Sequence, residues 1–325
     1  MAYQFDLFPR TKVVPTETSL EHPESQAAHD DSPPSLSTRI TNFAAVVIPF
    51  IGLAAAIFLL WGIAFNWVYL AIMGVMYAIT GLGITVGFHR YFTHKSFDTP
   101  NWVVALLGVF GSMAVQGPIL EWAAVHRRHH QHSDDMEDPH SPHTHGSGVW
   151  GTLRGFWHAH LGWLFSVRPT DYARYVPDLT KDKLVSSISR TFTLWVVLGL
   201  AIPTVLGGLL TLSWTGALLG LIWGGLVRVF FVHHVTWSIN SVCHIWGSRP
   251  FDSHDHSRNN VIFGVLGMGE GWHNNHHAFP TSARHGLRWW EFDLSYVIIK
   301  CLGLVGLARN IRVPTPERVA AKLRA

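Results

Sequence analysis

Long apolar stretches alternate along the chain with polar segments rich in histidine. Residues 43–65 read FAAVVIPFIGLAAAIFLLWGIAF without a charge. At about 1.5 Å per helical residue, such a stretch crosses a hydrocarbon core of about 30 Å. Asn66 marks a break, and a second apolar stretch, residues 67–88, runs straight into FHRYFTH. A third covers residues 192–212, interrupted by Pro203, and a fourth residues 216–238, with a single charge at Arg228. The pattern predicts an all-α membrane protein with four transmembrane helices in two hairpins. Two further apolar runs, WVVALLGVFGSMAV from Trp102 and LSYVIIKCLGLVGLA from Leu294, are too short to span and are expected to be interfacial or buried helices. Residues 1–41, with HPESQAAHDDSPPSLS, are too polar to bury much surface and are expected to form a disordered tail ahead of a single domain over residues 42–325. The tail lacks a basic start, a short apolar core and a small-residue cleavage site, so membrane entry is expected through the internal spans.

Charge sharpens this map. Charged residues make up 14% of the chain, against about 25% in soluble proteins, which points towards lipid. Of the 24 basic residues, 3 lie in the first 41 positions, 10 between Arg90 and Arg190, and 10 from Arg249 onward. The turns near Asn66 and Ser213 carry none. The positive-inside rule then predicts that both termini, the central loop and the C-terminal third face the cytoplasm. With a net charge of +3 and no basic run interleaved with aromatics, nucleic acid is not an expected partner. Two cysteines, Cys243 and Cys301, are too few for a disulfide framework or a cysteine metal knuckle.

Histidine, with 22 copies, carries the candidate chemistry. Four stretches concentrate it: His89 and His94 in HRYFTH, His126, His129 and His130 in HRRHH, Asn240 and His244 in NSVCH, and His273, His276 and His277 in HNNHH. Spacings of three and four residues place the second and fourth groups each on one helical face, and Asn240 with His244 likewise. His89 and His94, five apart, do not share an α-helical face, so the helix is expected to end or turn between them. At this histidine frequency two HxxHH motifs arise by chance in roughly 0.005 of such chains. A solvated or pH-sensitive surface is the plain alternative, but clustered imidazoles repel one another when protonated, and a metal removes that problem. Imidazole favours transition metals over Mg or Ca. Ten candidate ligands exceed what one four-coordinate zinc takes, so two ions fit better. Glu121, Asp134, Asp135, Asp138 and Glu270 are candidates to orient the rings.

The sequence resembles the integral-membrane fatty-acyl desaturases, and within them the delta-9, stearoyl-CoA desaturase-like group. The resemblance is carried by GFHRYFTHKSF, EWAAVHRRHHQHSDDMEDPHSP, RGFWHAHLGWLF, TWSINSVCHIWGSRPFD and GEGWHNNHHAFP, and covers residues 45–310. It implies a cytoplasmic helical cap with two iron ions, whose ligands correspond to His89, His94, His126, His129, His130, Asn240, His244, His273, His276 and His277. It also implies insertion of a cis double bond into a saturated long acyl chain, carried as acyl-CoA or acyl-lipid, with O2 as oxidant. Electrons are expected from a separate protein, a ferredoxin or a b-type cytochrome with its reductase, since no His-Pro-Gly-Gly haem motif follows the core. Animal acyl-CoA members carry Arg-Asp just before the second box, where this chain has Ala124 and Val125, so the carrier stays open. Trp122 and Trp237, adjoining ligand stretches, and Arg154 are the substrate-contact candidates. A membrane di-iron hydroxylase and a histidine-rich metal transporter are the rival readings. Arg228 is expected to face a cavity, a partner or the interface, and His233 and His234 to form a structural polar cluster.

Overall fold

The computed structural model describes residues 34–60, 66–166 and 170–324, all within one compact unit. Most of the expected tail lies outside the described residues. Among the described residues the chain is helical, without strands beyond isolated bridges. Four helices are long and apolar enough to cross a membrane: α1 (Leu36–Leu60), α2 (Trp67–Thr93), α7 (Phe192–Thr211) and α8 (Trp214–Ile245). Between and after them lie α3 (Asn101–Ser112), α4 (Ile119–His132), α5 (Gly148–Trp157), α6 (Lys183–Arg190), α9 (Val261–Leu266), α10 (His273–Ala278) and α11 (Leu294–Leu304).

Apart from the end of α2, which runs on to Thr93, the boundaries differ from the sequence reading in two places. Helix α1 begins at Leu36, so residues 36–41, read as tail, are helical. The Ser35 hydroxyl caps that start by accepting from Thr38 N at 3.1 Å. Helix α8 runs beyond the apolar stretch to Ile245, because its last two turns carry polar residues that pack inward: Ser238, Ser241 and His244 are all buried. The turns behave as read. Asn66 caps α2 by accepting from Val68 N, and Leu212, in the left-handed region, with Ser213 as the next cap, closes the α7–α8 turn.

Helix packing in the spans relies on small residues. A Cβ on Gly207 would meet the Gly216 carbonyl at 2.2 Å, and one on Gly220 would meet that of Pro203 at 2.2 Å. Helix α3 does not span; it lies against the end of α2, where Gly83 approaches the backbone of Gly111 so closely that a Cβ would sit 2.2 Å from its nitrogen. Arg228 is fully buried in α8 and, among the described residues, pairs with no carboxylate. It donates to the carbonyls of Gly224 (3.1 Å), Met113 (2.6 Å) and Gly199 (2.7 Å). Gly199 lacks its helical donor because the residue four positions on is Pro203, which has no N–H. The arginine fills a gap that the proline opens.

Candidate metal centre

Five segments bring nine histidines together: the end of α2, the neighbouring His94, and helices α4, α8 and α10. Helix α2 does not end at His89. Over Gly83–Thr93 it widens to five-residue hydrogen bonding, and His94 N donates to His89 O at 3.1 Å. A five-residue repeat puts His89 and His94 on the same side, with ring centroids 4.8 Å apart. The expected break is therefore a widened turn, a device that concentrates at functional sites.

The rings sort into two groups. In one, nitrogens of His89, His94, His126, His130 and His276 lie within 4.8 Å of one another; in the other, those of His129, His244, His273 and His277 do. His276 Nε2 lies 3.1 Å from His89 Nε2 and 2.9 Å from His130 Nε2, which is 3.1 Å from His126 Nε2. In the second group His244 Nε2 faces His273 Nε2 at 3.0 Å, while the buried Nε2 atoms of His129 and His277 have no protein partner.

Those contacts fit ligand atoms better than hydrogen bonds. His89 Nδ1 donates to Glu270 Oε2 at 2.5 Å, His129 Nδ1 to Asp138 at 3.0 Å, His244 Nδ1 to Asp134 at 2.9 Å, and His277 Nδ1 to Asp255. A neutral ring that donates from Nδ1 has a bare lone pair on Nε2, so lone pairs are gathered at two points. Metal–nitrogen bonds of about 2.1 Å at right angles put neighbouring nitrogens about 3.0 Å apart. The groups can each hold a metal ion, with carboxylates fixing ring tautomer and direction from behind.

Electrostatics keep the rings in the ligating form. Burial first, and the neighbouring rings second, hold His94, His126, His130, His273 and His276 well below the ordinary imidazole range. His277 is lowered by burial to about 4 despite the opposing pull of Asp255. Burial alone would raise the Glu270 carboxyl, but His89, Arg90 and His285 around it hold it well below the usual range.

A cavity of about 570 Å³ borders both groups through His89, His126 and His273. That is within the usual size of small-molecule sites. Trp122 and Trp237 line it; Trp122 stacks on His126 with centroids 5.1 Å apart. Asn240 lines it one turn before His244. Arg154 is exposed on α5 and is not among the lining residues. Of the candidate orienting acids, Asp134, Asp138 and Glu270 do that work, Glu121 lines the cavity instead, and Asp135 is exposed. His233 Nε2 donates to the carbonyls of Ala114 and Val115, and His234 pairs with His160 at 3.0 Å.

Sequence reasoning missed three members. Asp255 holds His277 from a loop 22 residues away. Arg90, fully buried, bridges Glu270 and Asp293, and His285 lies 3.2 Å from Glu270 with its ring 4.4 Å from that of His276. The Arg90 signal was its place beside a ligand candidate; nothing local marks the other two.

The fatty acid desaturase family profile matches residues 65–300. The chain is 47% identical over 278 residues to a hex-5-enoyl-[acyl-carrier protein] acetylenase of Moorena producens, covering 85% of this chain and 87% of the relative. It is 41% identical to an sn-1 stearoyl-lipid 9-desaturase of Synechocystis (79% and 76% covered) and 38% identical to Delta-9 acyl-lipid desaturase 1 of Arabidopsis thaliana (78% of each). The chain belongs to the fatty acid desaturase family, oxidoreductases that desaturate fatty acyl chains.

Proposed function

We propose that this protein is a membrane di-iron desaturase that inserts a cis double bond at the delta-9 position of a saturated long acyl chain. The observation that carries the reading is the convergence of nine imidazoles into two groups beside one cavity. The balance is one saturated chain, O2, two electrons and two protons giving one monoene and two waters. Iron ions held by the two groups would supply the oxidising power, because no general base of ordinary pKa removes a hydrogen from a mid-chain methylene.

The residues of this chain do the rest. Trp122, Trp237 and the apolar lining hold the alkyl chain and exclude water, and His89, His126 and His273 bring the ligand groups to the cavity wall. Glu270, Asp134, Asp138 and Asp255 keep the Nδ1 protons in place so that the Nε2 lone pairs stay free. The four spans and the distribution of basic residues support a multi-pass protein with this site and both termini on the cytoplasmic side. Electrons come from a separate ferredoxin or cytochrome.

The acyl carrier is read as a membrane lipid, as the relatives named for acyl-lipid desaturation favour. An acyl-carrier-protein thioester is the second reading, favoured by the relative at 47% identity. Mass spectrometry of lipids from cells with the protein, without it and with His276→Ala tests the proposal. Monoenes with the bond at carbon 9 should appear only with the unaltered chain. Hydroxylated lipids without monoenes would make it a hydroxylase, and monoenes that appear only when purified protein is given acyl-carrier-protein substrates would favour the second carrier.

A further inference from the structure

The two groups of histidines are not equally supplied with negative charge. In the group of four, three rings each have their own aspartate: His129 with Asp138, His244 with Asp134, His277 with Asp255. All three carboxylates also accept main-chain N–H groups, from His140, His256 and Ser257. Among the described residues none of them pairs with an arginine or lysine side chain; the nearby Arg249 donates to the main-chain carbonyl of Asp255 instead. In the group of five, only His89 has a carboxylate, and Glu270 is shared. Its other oxygen takes two N–H groups of the fully buried Arg90, at 3.1 and 3.0 Å, and His285 competes for the first at 3.2 Å. Among the described residues the buried Nδ1 of His276 has no hydrogen-bond partner.

We propose that the two sites hold their ions unequally: the His129, His244, His273 and His277 site binds tightly, and the His89, His94, His126, His130 and His276 site releases its ion readily. This rests on the reading that each group holds one ion. A carboxylate behind a ligating ring strengthens metal affinity by about 10- to 100-fold. Two more such carboxylates in the group of four outweigh the one extra neutral imidazole in the group of five, and Arg90 weakens the only carboxylate there by placing a fixed positive charge on it. The site beside Arg90 and His285 is thus the exchangeable one, and these two residues set how exchangeable it is.

The test uses purified protein loaded anaerobically with ferrous iron and dialysed against increasing concentrations of a competing chelator, with retained iron counted by mass spectrometry. Two equivalents should bind and leave in separate steps at chelator concentrations about 100-fold apart. His276→Ala should keep only the resistant equivalent and His273→Ala only the labile one. Asp255→Asn should move the resistant step towards the labile one, by about 10- to 100-fold, without moving the labile step. A single release step, or the opposite assignment in the two alanine variants, overturns the ranking while leaving two ions in place. Fewer than two equivalents in the unaltered protein sinks the two-ion reading and the ranking with it.

Discussion

Among the described residues two arginines are completely buried, and they are satisfied by different means. Arg228, among the membrane-spanning helices, is held by main-chain carbonyls alone, one of them exposed by Pro203 and another at the end of α3. Arg90, at the cap end of α2, is held by two carboxylates and the carbonyl of Ala283. In the spans the chain offers a cation dipoles left over from broken helices; in the cap it offers full charges. The difference follows from what each region must contain. Carboxylates near the bilayer centre are costly, whereas the cap already needs them to orient imidazoles, so a buried cation there ties together acids that would otherwise repel.

The comparison breaks most visibly at Arg90. In Arg90→Met, Glu270 and Asp293 lose their shared cation while both stay buried, 7% and 5% exposed. Removing one partner of a buried ion pair costs about 3–5 kcal/mol. Asp293 also accepts main-chain N–H groups of His285, Gly286 and Tyr296, so the damage reaches the loop behind His276 and the start of α11. The expected outcome is a large fall in unfolding temperature in detergent. A variant with unchanged unfolding temperature would show that the carboxylates do not depend on the cation.

How much of this was legible in the sequence follows the same divide. The spans were readable because hydropathy is a local property, and the histidine groups because three- and four-residue spacing writes a helical face into the chain. His89 and His94 were read as belonging together but with the wrong local geometry, since nothing in HRYFTH announces a five-residue hydrogen-bond repeat; Gly83 and Gly87, which let α3 press against it, show their purpose only once α3 is packed. At the start of α1, Ser37, Thr38 and Arg39 look like tail in the sequence, although Ser35 caps a helix there. Asp255, Asp293 and His285 were invisible because each meets the site through a loop whose course no periodicity predicts.

Arg228 gives the smaller mutational effect. Arg228→Met leaves the Met113 and Gly199 carbonyls without their donor, while Gly224 O loses only a second one. Each buried carbonyl left unpaired costs about 1–3 kcal/mol, but removing the cation also relieves the cost of burying it, so the net loss should fall below that of Arg90→Met. If it lowered the unfolding temperature as far as Arg90→Met does, the division between a dipole-satisfied membrane half and a charge-satisfied cap would fail.

The smallest effect is a slope rather than a step. In the cap His140 is lowered to about 3, chiefly by burial, with His129 adding and Asp138 opposing, and His277 is lowered to about 4. An unfolded chain takes up these protons near pH 6.5. Because the folded values are depressed, the stability these rings contribute is fully present above about pH 6.5 and is lost as pH falls towards 4 and 3. The loss between pH 7 and pH 6 is about 0.7 kcal/mol for each ring. Asp134 and Asp138, also depressed, lose nothing in that interval, because even unfolded carboxyls remain ionised there. The unfolding temperature of metal-free protein should therefore slide downward from pH 7 to pH 5. Arg228→Met should displace that line with little change in its slope, since its hydrogen-bond partners, the carbonyls of Gly224, Met113 and Gly199, do not titrate. A flat line in the unaltered protein, or a slope abolished by Arg228→Met, would place the pH-sensitive charge outside the cap.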